Sequence, residues 1–590
     1  MSHAPSAQPK TLAEDLRGRS DDQLAALLRA RPDLLHPVPS DMRALTTRAA
    51  TSPSIARYLD TVDCIHHYAL RIASELTTDE PTSAEQILAA IVEAVGVDSI
   101  RTDAHRAIEN LHAAAVLWGT TERIHVVTSV RDQVATAPVP QWPAPTCQGP
   151  IIDAALRASA SAHGGAVAQG LIGTMEEIAD RWSREPGPVL RSGGLSARAL
   201  DALADTLDTP REQVTTALDL AWSAGLIAQG STGSDIGWMP TEAFENWSNE
   251  PAAKRWAKIA RVWQQRPATT STRALLGNDH AFVRVWRSHL LTALLDAPQS
   301  CDLETVIEVV DFRWPRRRGS KRTDALTASW LEAQHLGIVV DGVLTDAGVA
   351  LATDATTATV ASTIAQHLAS EVDAVHIQGD HTIVAPGPLR PEVGRRLRAI
   401  ADVESRGHAT VFRLTNASLR RGLSMDPEIS SWQEFFEEIS RAPVPQPVAY
   451  LLADAARQAP PARSSHRAPA EPTPVRRTHI EASSARVEKA LDVLRAREER
   501  SVPDIVAELE GSEVPAMEGA AVVAALRYSI DHHETVRISH AQSDGSTGLL
   551  LVDPIRLGGG SLTAYDHHDE QVRTFAISRI GGVATVRISA

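Results

Sequence analysis

Two short stretches rich in aspartate and histidine carry residue types that could bind a metal ion. They read IDHHETV (530–536) and YDHHDEQV (565–572). Asp-His-His can chelate a divalent metal, and a phosphoesterase with two metal ions is one hypothesis. Such enzymes collect ligands from several strand ends of an α/β core, whereas each stretch here lies between short predicted strands. We therefore expect solvated turns, with a metal-dependent phosphoesterase as the alternative.

A third candidate is HIQGDHTIVAPGP (376–388), with two histidines and an aspartate inside a short apolar run. Its isoleucines and valine suit strands, the Gly-Asp pair suits a break, and PGP ends the run. No other ligand-rich segment is expected to converge on it. The sequence therefore predicts that His376 and His381 are structural and that the stretch marks a domain.

The strongest basic cluster is FRWPRRRGSKRTD (312–324), which places six positive charges within ten residues. It precedes a predicted helix in the position that reads DNA in a winged helix. Arginines there can hold the phosphate backbone while the helix N-terminus adds backbone donors. A solvated loop is the alternative. The residues predicted to contact nucleic acid are Arg313, Arg316, Arg317, Arg318, Lys321 and Arg322.

A second basic patch lies on residues 389–421, where eight arginines face three carboxylates for a net charge of +5. Helical spacing puts Arg395 and Arg398 on one face, with Leu397 and Ile400 on the buried one. Three interpretations stay open: nucleic-acid contact, an acidic partner surface, or a solvated face.

Near the C-terminus RTFAISRI (573–580) alternates in the manner of a strand. Arg573, Phe575, Ile577 and Arg579 are expected on one face of it. Two arginines beside an aromatic ring could bind an anion or stack a base. An edge strand kept from aggregating by its charges is the alternative.

The overall composition limits which functions these residues could have. The 590 residues require several domains, and the net charge of −15 restricts nucleic-acid binding to local patches. Only five of the 58 basic residues are lysines, and none follows a glycine, so a P-loop ATPase is not expected. HExxH and GxSxG are absent too. We expect no enzymatic activity and no cofactor.

The cysteines and the hydropathy pattern bear on location. Cys64, Cys147 and Cys301 lie far apart without a CxxC pair, which predicts a reducing compartment with neither a disulfide nor a zinc site. Neither a signal peptide nor a membrane span is expected. The sequence therefore predicts a cytoplasmic protein associated with the nucleoid.

A repeated pattern of helices followed by a small hairpin predicts winged helices. In ALDLAWSAGLIAQG (217–230) and ASWLEAQHLGIVVDG (328–342), a helix ends at a glycine and enters an apolar strand. Gly225 and Gly337 suit the left-handed position that closes a helix. With a similar N-terminal pattern, the chain is predicted to contain three winged helices.

The predicted fold is multi-domain and mainly α, with winged-helix repeats, an α/β domain and a small C-terminal β-barrel. The predicted units are 11–130 (helical and winged-helix region), 131–184 (linker and helical bridge), 185–267 (second winged helix with a following helix), 282–355 (third winged helix), 371–458 (α/β domain), 459–482 (Pro/Ala/Arg-rich linker) and 483–590 (helix and β module).

Two segments resemble known families. Residues 376–458, from HIQGDHTIVAPGP to VAYLLADAARQ, resemble the N-terminal domain of XPB-type DNA helicases, which recurs without a motor in helicase-associated proteins of actinobacteria. DDQLAALLRARPDLLHPVP (21–39) is typical of the latter proteins. Winged helices followed by such a domain also resemble the subunit that clamps XPB in the eukaryotic repair and transcription complex and stimulates its ATPase.

The C-terminal module resembles WYL domains, which are Sm-like barrels that bind nucleic acid or nucleotides. Pro554 in LVDPIRL and Arg573, Phe575 and Arg579 in RTFAISRI carry the resemblance, which implies a ligand site at the last three. The chain departs from the family with Gly-Ser-Leu at 560–562 in place of Trp-Tyr-Leu, and with His540 where an aromatic residue is usual.

These resemblances imply a non-enzymatic DNA-binding accessory protein that works with an XPB-type helicase in DNA repair or transcription-linked processing. The expected partners are DNA, duplex or single-stranded, and that helicase, without a membrane. The alternative is a transcriptional regulator that combines winged helices with a WYL-type sensor of a nucleotide or nucleic-acid ligand.

Overall fold

The structure is a computed structural model. The residues that it describes are 9–77, 80–191, 194–231, 236–269, 278–279, 282–405, 409–457, 488, 490–492, 494, 514, 516–517, 519–532, 535–541, 547–558, 560–566 and 571–585. They form a mainly helical, multi-domain protein with small antiparallel sheets, as the sequence predicts. Within these residues, no helix is both long and apolar enough to cross a membrane.

The first three helices form a small core of their own. They are α1 (Leu12–Gly18), α2 (Asp21–Ala30) and α3 (Met42–Ala49). Ser20 and Gln23 form a capping box at the start of α2, which satisfies two backbone donors. Ala490 and Leu494, from beyond the Pro-rich linker, are fully buried in this core. A segment more than 400 residues downstream therefore completes the N-terminal helical core.

The first of the three units predicted to be winged helices follows with its own hydrophobic core. The three units keep the name of that prediction below. Its elements are α4 (Ser52–Leu59), α5 (Cys64–Leu76), α6 (Ala84–Val95), α7 (Arg101–Ala113), β1 (Leu117–Thr120) and β2 (Arg123–Val126), with α8 (Arg131–Val134) after them. The chain breaks between α4 and α5, and Asp63 at the end of that break caps α5. The strands pair antiparallel as the wing.

The second and third winged helices share one continuous core with a long helix. That helix, α9 (Ala154–Arg184), lies in the predicted bridge. The second unit comprises β3 (Gly187–Pro188), α10 (Ala197–Leu207), α11 (Arg211–Ser223), β4 (Ile227–Ser231), β5 (Ile236–Pro240) and α12 (Glu242–Ser248). The connecting elements are α13 (Ala252–Gln265), β6 (Ala268–Thr269) and β7 (Asn278–Asp279).

The third winged helix comprises α14 (Val283–Leu295), α15 (Leu303–Arg313), α16 (Ser320–His335), β8 (Val339–Val340), β9 (Val343–Leu344) and α17 (Asp346–Ala352), followed by α18 (Thr357–Ala365). Gly225 and Gly337 have positive φ values of 68° and 74°, which confirms the predicted left-handed closures. Gly337 also packs against Gly164 of α9, where a Cβ atom would lie 2.2 Å from the Gly164 carbonyl oxygen. The close approach of α9 therefore needs glycine at this position.

The α/β domain has a four-stranded antiparallel sheet in the order β10-β11-β13-β12. Its elements are β10 (His376–Ile377), β11 (Thr382–Ala385), α19 (Pro391–Ile400), β12 (Asp402–Ser405), β13 (Thr410–Arg413), α20 (Asn416–Met425), α21 (Ile429–Ile439) and α22 (Gln446–Arg457). Apolar residues of the sheet and of all four helices form one core. The stretch 376–388 is thus a hairpin at the start of the α/β domain.

The C-terminal module is a helix packed on a five-stranded antiparallel sheet. Its elements are α23 (Gly519–His532), β14 (Val536–Ala541), β15 (Thr547–Gly558), β16 (Ser561–Asp566), β17 (Gln571–Ala576) and β18 (Ile580–Thr585). The strand order is β17-β16-β15-β14-β18, so consecutive strands β17 and β18 are the two edges.

Cys147 and Cys301 form a disulfide, with their Cα atoms 4.9 Å apart. The prediction of no disulfide is wrong, because the linker at 149–152 pairs with 298–300 through backbone hydrogen bonds such as Gly149 N–H to the Ser300 carbonyl, 3.1 Å. That pairing joins cysteines that are 154 residues apart in sequence. Cys64 is free and buried.

Candidate nucleic-acid interface

The loop between α15 and α16 together with the first two residues of α16, residues 314–321, is here called the arginine loop. Arg316 and Arg317 both pair with the Asp60 carboxylate of the first winged helix, at 2.8 and 3.3 Å. Arg318 lies 2.7 Å from the Cys64 sulfur through one guanidinium nitrogen. The loop therefore fastens the third winged helix to the first.

Two other arginines of the predicted cluster serve the third winged helix itself. Arg322 is only 2% exposed; it donates to the carbonyls of Trp314 and Arg316, at 2.6 and 3.0 Å, and pairs with the Asp311 carboxylate. Its assignment as a phosphate contact is wrong, since contact would require unpacking the loop. Arg313 pairs with Asp296 at 2.6 Å.

Arg317, Arg318 and Lys321 keep exposed positions on the arginine loop. They form the part of the predicted cluster that a phosphate could reach from solvent. Their contact with nucleic acid stays a prediction, and for the two arginines it competes with Asp60 and Cys64 of the first winged helix.

The helices in the recognition position of the second and third winged helices pack against each other. Residues Val214 to Ala221 of α11 are all buried, and Thr216 lies within hydrogen-bond distance, 2.9 Å, of the His335 ring at the end of α16. A helix enters the major groove only when its outward face is free. In this arrangement α11 therefore cannot read DNA as a recognition helix.

The corresponding helix of the first winged helix is accessible but not basic. The exposed side of α7 carries His105 and Glu109, whose ring and carboxylate lie 3.6 Å apart, and Arg106, which pairs with Asp103. Its two charged pairs cancel, so α7 offers little attraction to a phosphate backbone. None of the three predicted winged helices presents a basic recognition helix among the residues described.

The second predicted patch also holds domains together. Arg398 pairs with Glu176 of α9 at 3.3 Å, and Arg395 donates to the Asn249 side chain at the end of α12. Arg184 of α9 reaches back to Asp402 at 3.4 Å. Of the interpretations left open for this patch, the structure favours an acidic partner surface, and that surface belongs to the chain itself.

The predicted ligand residues of the C-terminal module separate into two roles. Phe575 is 2% exposed and lies in the core, with its ring 5.4 Å from that of His540 in a T-shaped arrangement. Its role as a ligand residue stays a prediction: Phe575 shares a face of β17 with Arg573, whose guanidinium carbon lies 5.3 Å from the centre of the Phe575 ring. Because β17 ends at Ala576 and a 3-10 turn follows, Ile577 and Arg579 do not continue that strand face as expected.

Arg573 and Arg579 remain beside His540 at the sheet surface. Burial, and then the positive charges of Arg579 and Arg573, lower the pKa of the His540 ring. Arg573 is partly exposed and pairs at 2.9 Å with Asp566, which is fully buried, while Arg579 is exposed. Two guanidinium groups near a neutral imidazole form the surface best suited to an anion in this module.

The structure describes only part of the two aspartate-histidine stretches. The described residues contain no group of three or more His, Cys, Asp or Glu side chains able to hold a metal ion. The first stretch begins inside α23 instead of between strands, because the helix continues to His532. His567 and His568, between β16 and β17, lie outside the described residues.

His376 and His381 both lie in the hairpin. His376 is exposed, and His381 adopts a positive φ of 71° in the turn. Asp380 accepts from the Thr382 backbone at 3.1 Å and hydroxyl at 2.6 Å, which stabilises the turn. The interpretation of this stretch as structural is consistent with these contacts.

A buried histidine gives the winged-helix core a pH dependence. His289 stacks on Trp314 with ring centroids 3.9 Å apart, and burial, helped by the Arg322 charge, lowers its pKa to about 3. Its Nδ1 atom has no hydrogen-bond partner in the described structure. Below about pH 6.5, His289 of the unfolded chain binds a proton, whereas His289 of the folded chain stays unprotonated. The free energy of unfolding therefore decreases as the pH is lowered.

We expect His289→Phe to keep the stacked ring and to remove this dependence. Between pH 7 and pH 5 the wild type should lose about 2 kcal/mol more unfolding free energy than the variant. Urea titrations at both pH values, followed by tryptophan fluorescence, measure the difference. Equal losses in the two proteins would contradict the assignment of a low pKa to His289.

Comparison with known proteins identifies one domain. Residues 375–469 match a protein family described as the helicase conserved C-terminal domain. That range begins at the hairpin and includes α19–α22. The prediction of a helicase-related domain in this part of the chain is therefore confirmed.

The remaining comparisons are weaker. No curated protein matches the chain. Among solved structures it is similar to the proteasome accessory factor B/C (PafBC) of Arthrobacter aurescens, with 13% identity and a TM-score of 0.11 over 62% of this chain and 47% of that one. The chain thus spans about half of that protein, and a TM-score this low says nothing about its fold or function.

Sequence reasoning missed the carboxylates that receive the arginines. Asp60 and Glu176 lie 257 and 222 residues from their partners Arg317 and Arg398, in segments without any motif. The only available signal was the balance of charge: a chain with a net charge of −15 has ample acidic partners for every basic cluster.

Proposed function

We propose that the chain is a non-enzymatic accessory protein that binds an XPB-type DNA helicase and works with it on DNA. The observation that carries the proposal is a helicase-family domain at 375–469 in a chain whose sequence lacks a P-loop. A helicase domain without the motor signature suits an accessory role. The XPB N-terminal type of this domain is part of the proposal and rests on the sequence resemblance.

The contacts between domains support a scaffold. Arg395, Arg398 and Arg184 connect the helicase-family domain to the winged-helix body, and Arg316 and Arg317 connect two winged helices. Arginine suits such joints because its planar fork makes several directed hydrogen bonds at once. The arginines of the basic clusters thus hold the domains of the chain together. The proposed task of this scaffold is to present the helicase-family domain to a partner.

DNA contact is proposed for the C-terminal module. Its edge strands are joined by only three residues, Ile577–Arg579, and a 3-10 segment of that length rises about 6 Å. In a flat sheet of five strands the edges would lie about 19 Å apart. This short connection between the edges supports the proposal that the sheet curls toward a small Sm-like barrel, with Arg573 and Arg579 near the connection.

The partner is tested with an XPB-type helicase from the same organism. We expect the chain to raise the DNA-dependent ATPase rate of the helicase while hydrolysing no ATP alone. A variant chain carrying Arg395→Glu and Arg398→Glu should stimulate the ATPase less, because the helicase-family domain is no longer held on the winged-helix body. An ATPase rate unchanged by the wild-type chain would refute the accessory role.

The DNA surface is tested with a single charge. Arg579→Glu should weaken binding of a single-stranded oligonucleotide and reduce the slope of log K against log salt by about one. Arg556→Glu, exposed on β15, is the control and should bind as wild type. Fluorescence anisotropy at several salt concentrations measures both. If Arg579→Glu leaves the affinity unchanged and Arg556→Glu abolishes binding, DNA does not bind at Arg579 and the proposed surface is wrong.

One observation favours a second function, a transcriptional regulator with a WYL-type sensor. Arg573 and Arg579 beside His540 suit a nucleotide phosphate, as such a sensor requires. The buried face of α11 opposes it, because operator reading needs a free recognition helix. A footprint on a defined palindromic site that a nucleotide releases would support the regulator over the accessory protein.

A further inference from the structure

The helicase-family domain carries an open groove between α21 and α22. Its volume is about 580 Å³, with a floor of Phe436, Val444, Val448 and Leu452. Phe436, Val448 and Leu452 are buried in the domain core, so the floor is rigid. Glu437 and Ala449 are exposed at the groove. The groove is thus an apolar slot reachable from solvent.

The helix α21 beside the groove carries a row of negative charges. Residues 426–438 contain five carboxylates and no basic side chain, namely Asp426, Glu428, Glu434, Glu437 and Glu438. All except Asp426 are exposed. Among the described residues that line the groove, Arg441 is the only basic one and Glu437 the only acidic one. A ligand in this groove would therefore meet a negative potential along α21.

In the helicase-family domain the basic residues of α19 and the acidic residues of α21 lie on different surfaces. The basic side of α19, with Arg395 and Arg398, faces the winged-helix body, where Glu176 and Asn249 receive it. The acidic helix α21 uses its buried side for packing within the domain, through Trp432, Phe435 and Phe436. The basic patch is thus used inside the chain, whereas the exposed carboxylates beside the groove are available to a partner of opposite charge.

We propose that this groove docks a basic amphipathic helix of a partner protein. Such a helix would place apolar side chains at positions i, i+3, i+4 and i+7 on the apolar floor. Its lysines and arginines would face Glu434 and Glu437, which steer its approach. The inference rests on the proposed function, because it assigns the surface through which the helicase-family domain meets its partner. A nucleic acid is excluded as occupant by the carboxylates along the groove.

The groove is tested first with a defined probe and the full chain. The probe is a fluorescein-labelled helical peptide with leucines at the i, i+3, i+4 and i+7 positions and lysines elsewhere. The control peptide has glutamates in place of the lysines. We expect the wild type to bind the lysine peptide at least about tenfold more tightly than the glutamate peptide.

Three variants locate the binding. Glu437→Lys and Ala449→Arg change exposed residues that line the groove, and each should weaken binding of the lysine peptide about tenfold. Tyr450→Arg is the matched control, since Tyr450 is 70% exposed on the same helix and does not line the groove. Equal binding by the wild type and both groove variants overturns the proposal, as does equal binding of the two peptides. A segment of the chain itself filling the groove would give that same result.

Co-elution with the XPB-type helicase separates this inference from the proposed function. If the wild type and both groove variants co-elute equally with the helicase, the accessory role stands and the groove assignment fails. If the wild type does not co-elute while the lysine peptide still discriminates between wild type and groove variants, the groove stands and the helicase partner fails. Thermal melting of each variant confirms that it is folded.

Discussion

Glu332→Ala should destabilise the winged-helix core by about 3–5 kcal/mol. Glu332 is almost completely buried and accepts hydrogen bonds from Trp263 at 2.7 Å, Arg266 at 2.8 Å and Arg287 at 3.1 Å. Burial lowers the pKa of Arg287 to about 10, and the Glu332 charge opposes that shift. Without the carboxylate, two buried guanidinium groups lose their counter-charge, which is the costly way to break a buried ion pair.

Urea titration followed by tryptophan fluorescence measures this loss, because Trp256, Trp263 and Trp286 lie in the same core. The matched control is Glu308→Ala on α15, an exposed glutamate whose loss should change the unfolding free energy by less than about 0.5 kcal/mol. A similar midpoint for Glu332→Ala and Glu308→Ala would show that the buried network does not hold the core.

Glu176→Ala should cost about 2–4 kcal/mol and loosen the helicase-family domain from the body. Glu176 receives Arg398 at 3.3 Å and also pairs with Arg255, which is only 3% exposed. Its removal leaves a buried arginine without a carboxylate and deletes an ion pair between the domain and α9. Two effects from one residue make it the most sensitive point of the joint.

Calorimetry and limited proteolysis measure the two effects of Glu176→Ala. We expect a lower melting temperature for the winged-helix body and faster cleavage between α18 and β10. Glu308→Ala, which changes the exposed glutamate of α15, serves as the control. A helicase-family domain that stays as resistant to protease as in the wild type would contradict the role of this ion pair.

Local signals in the sequence predicted the elements well. Ser20 and Ser83 are N-caps with capping boxes, and Gly225 and Gly337 close their helices in the left-handed conformation. These features depend on residues within one helical turn, so the sequence displays them directly. The winged-helix pattern and the hairpin at 376–388 follow from the same kind of evidence.

The roles of the arginines could not be predicted in this way. Whether a basic cluster faces DNA or a carboxylate depends on which distant segments the fold brings against it. Arg317 and Asp60 are 257 residues apart, and no periodicity or motif connects them. Arg579 shows the same limit at short range, because β17 ends at Ala576 and the 3-10 turn that follows takes Arg579 off the strand face of Arg573 and Phe575.

The disulfide illustrates a further limit. The spacing of Cys147 and Cys301 gave no reason to pair them, since their loop closes 154 residues. Their contact follows from backbone pairing of 149–152 with 298–300, which is a tertiary feature. The sequence shows how many cysteines there are, but the tertiary fold determines which of them form a disulfide.

The most direct test of the account is the mass of the complex formed by the chain with an XPB-type helicase of the same organism. Size-exclusion chromatography with light scattering of the mixture should show one species whose mass is the helicase plus the 63.4 kDa chain. Glu176→Ala should reduce the amount of that species, and the control Glu308→Ala should not. Two separate peaks at the masses of the individual proteins, with and without DNA, would contradict the proposal that this chain is a helicase accessory protein.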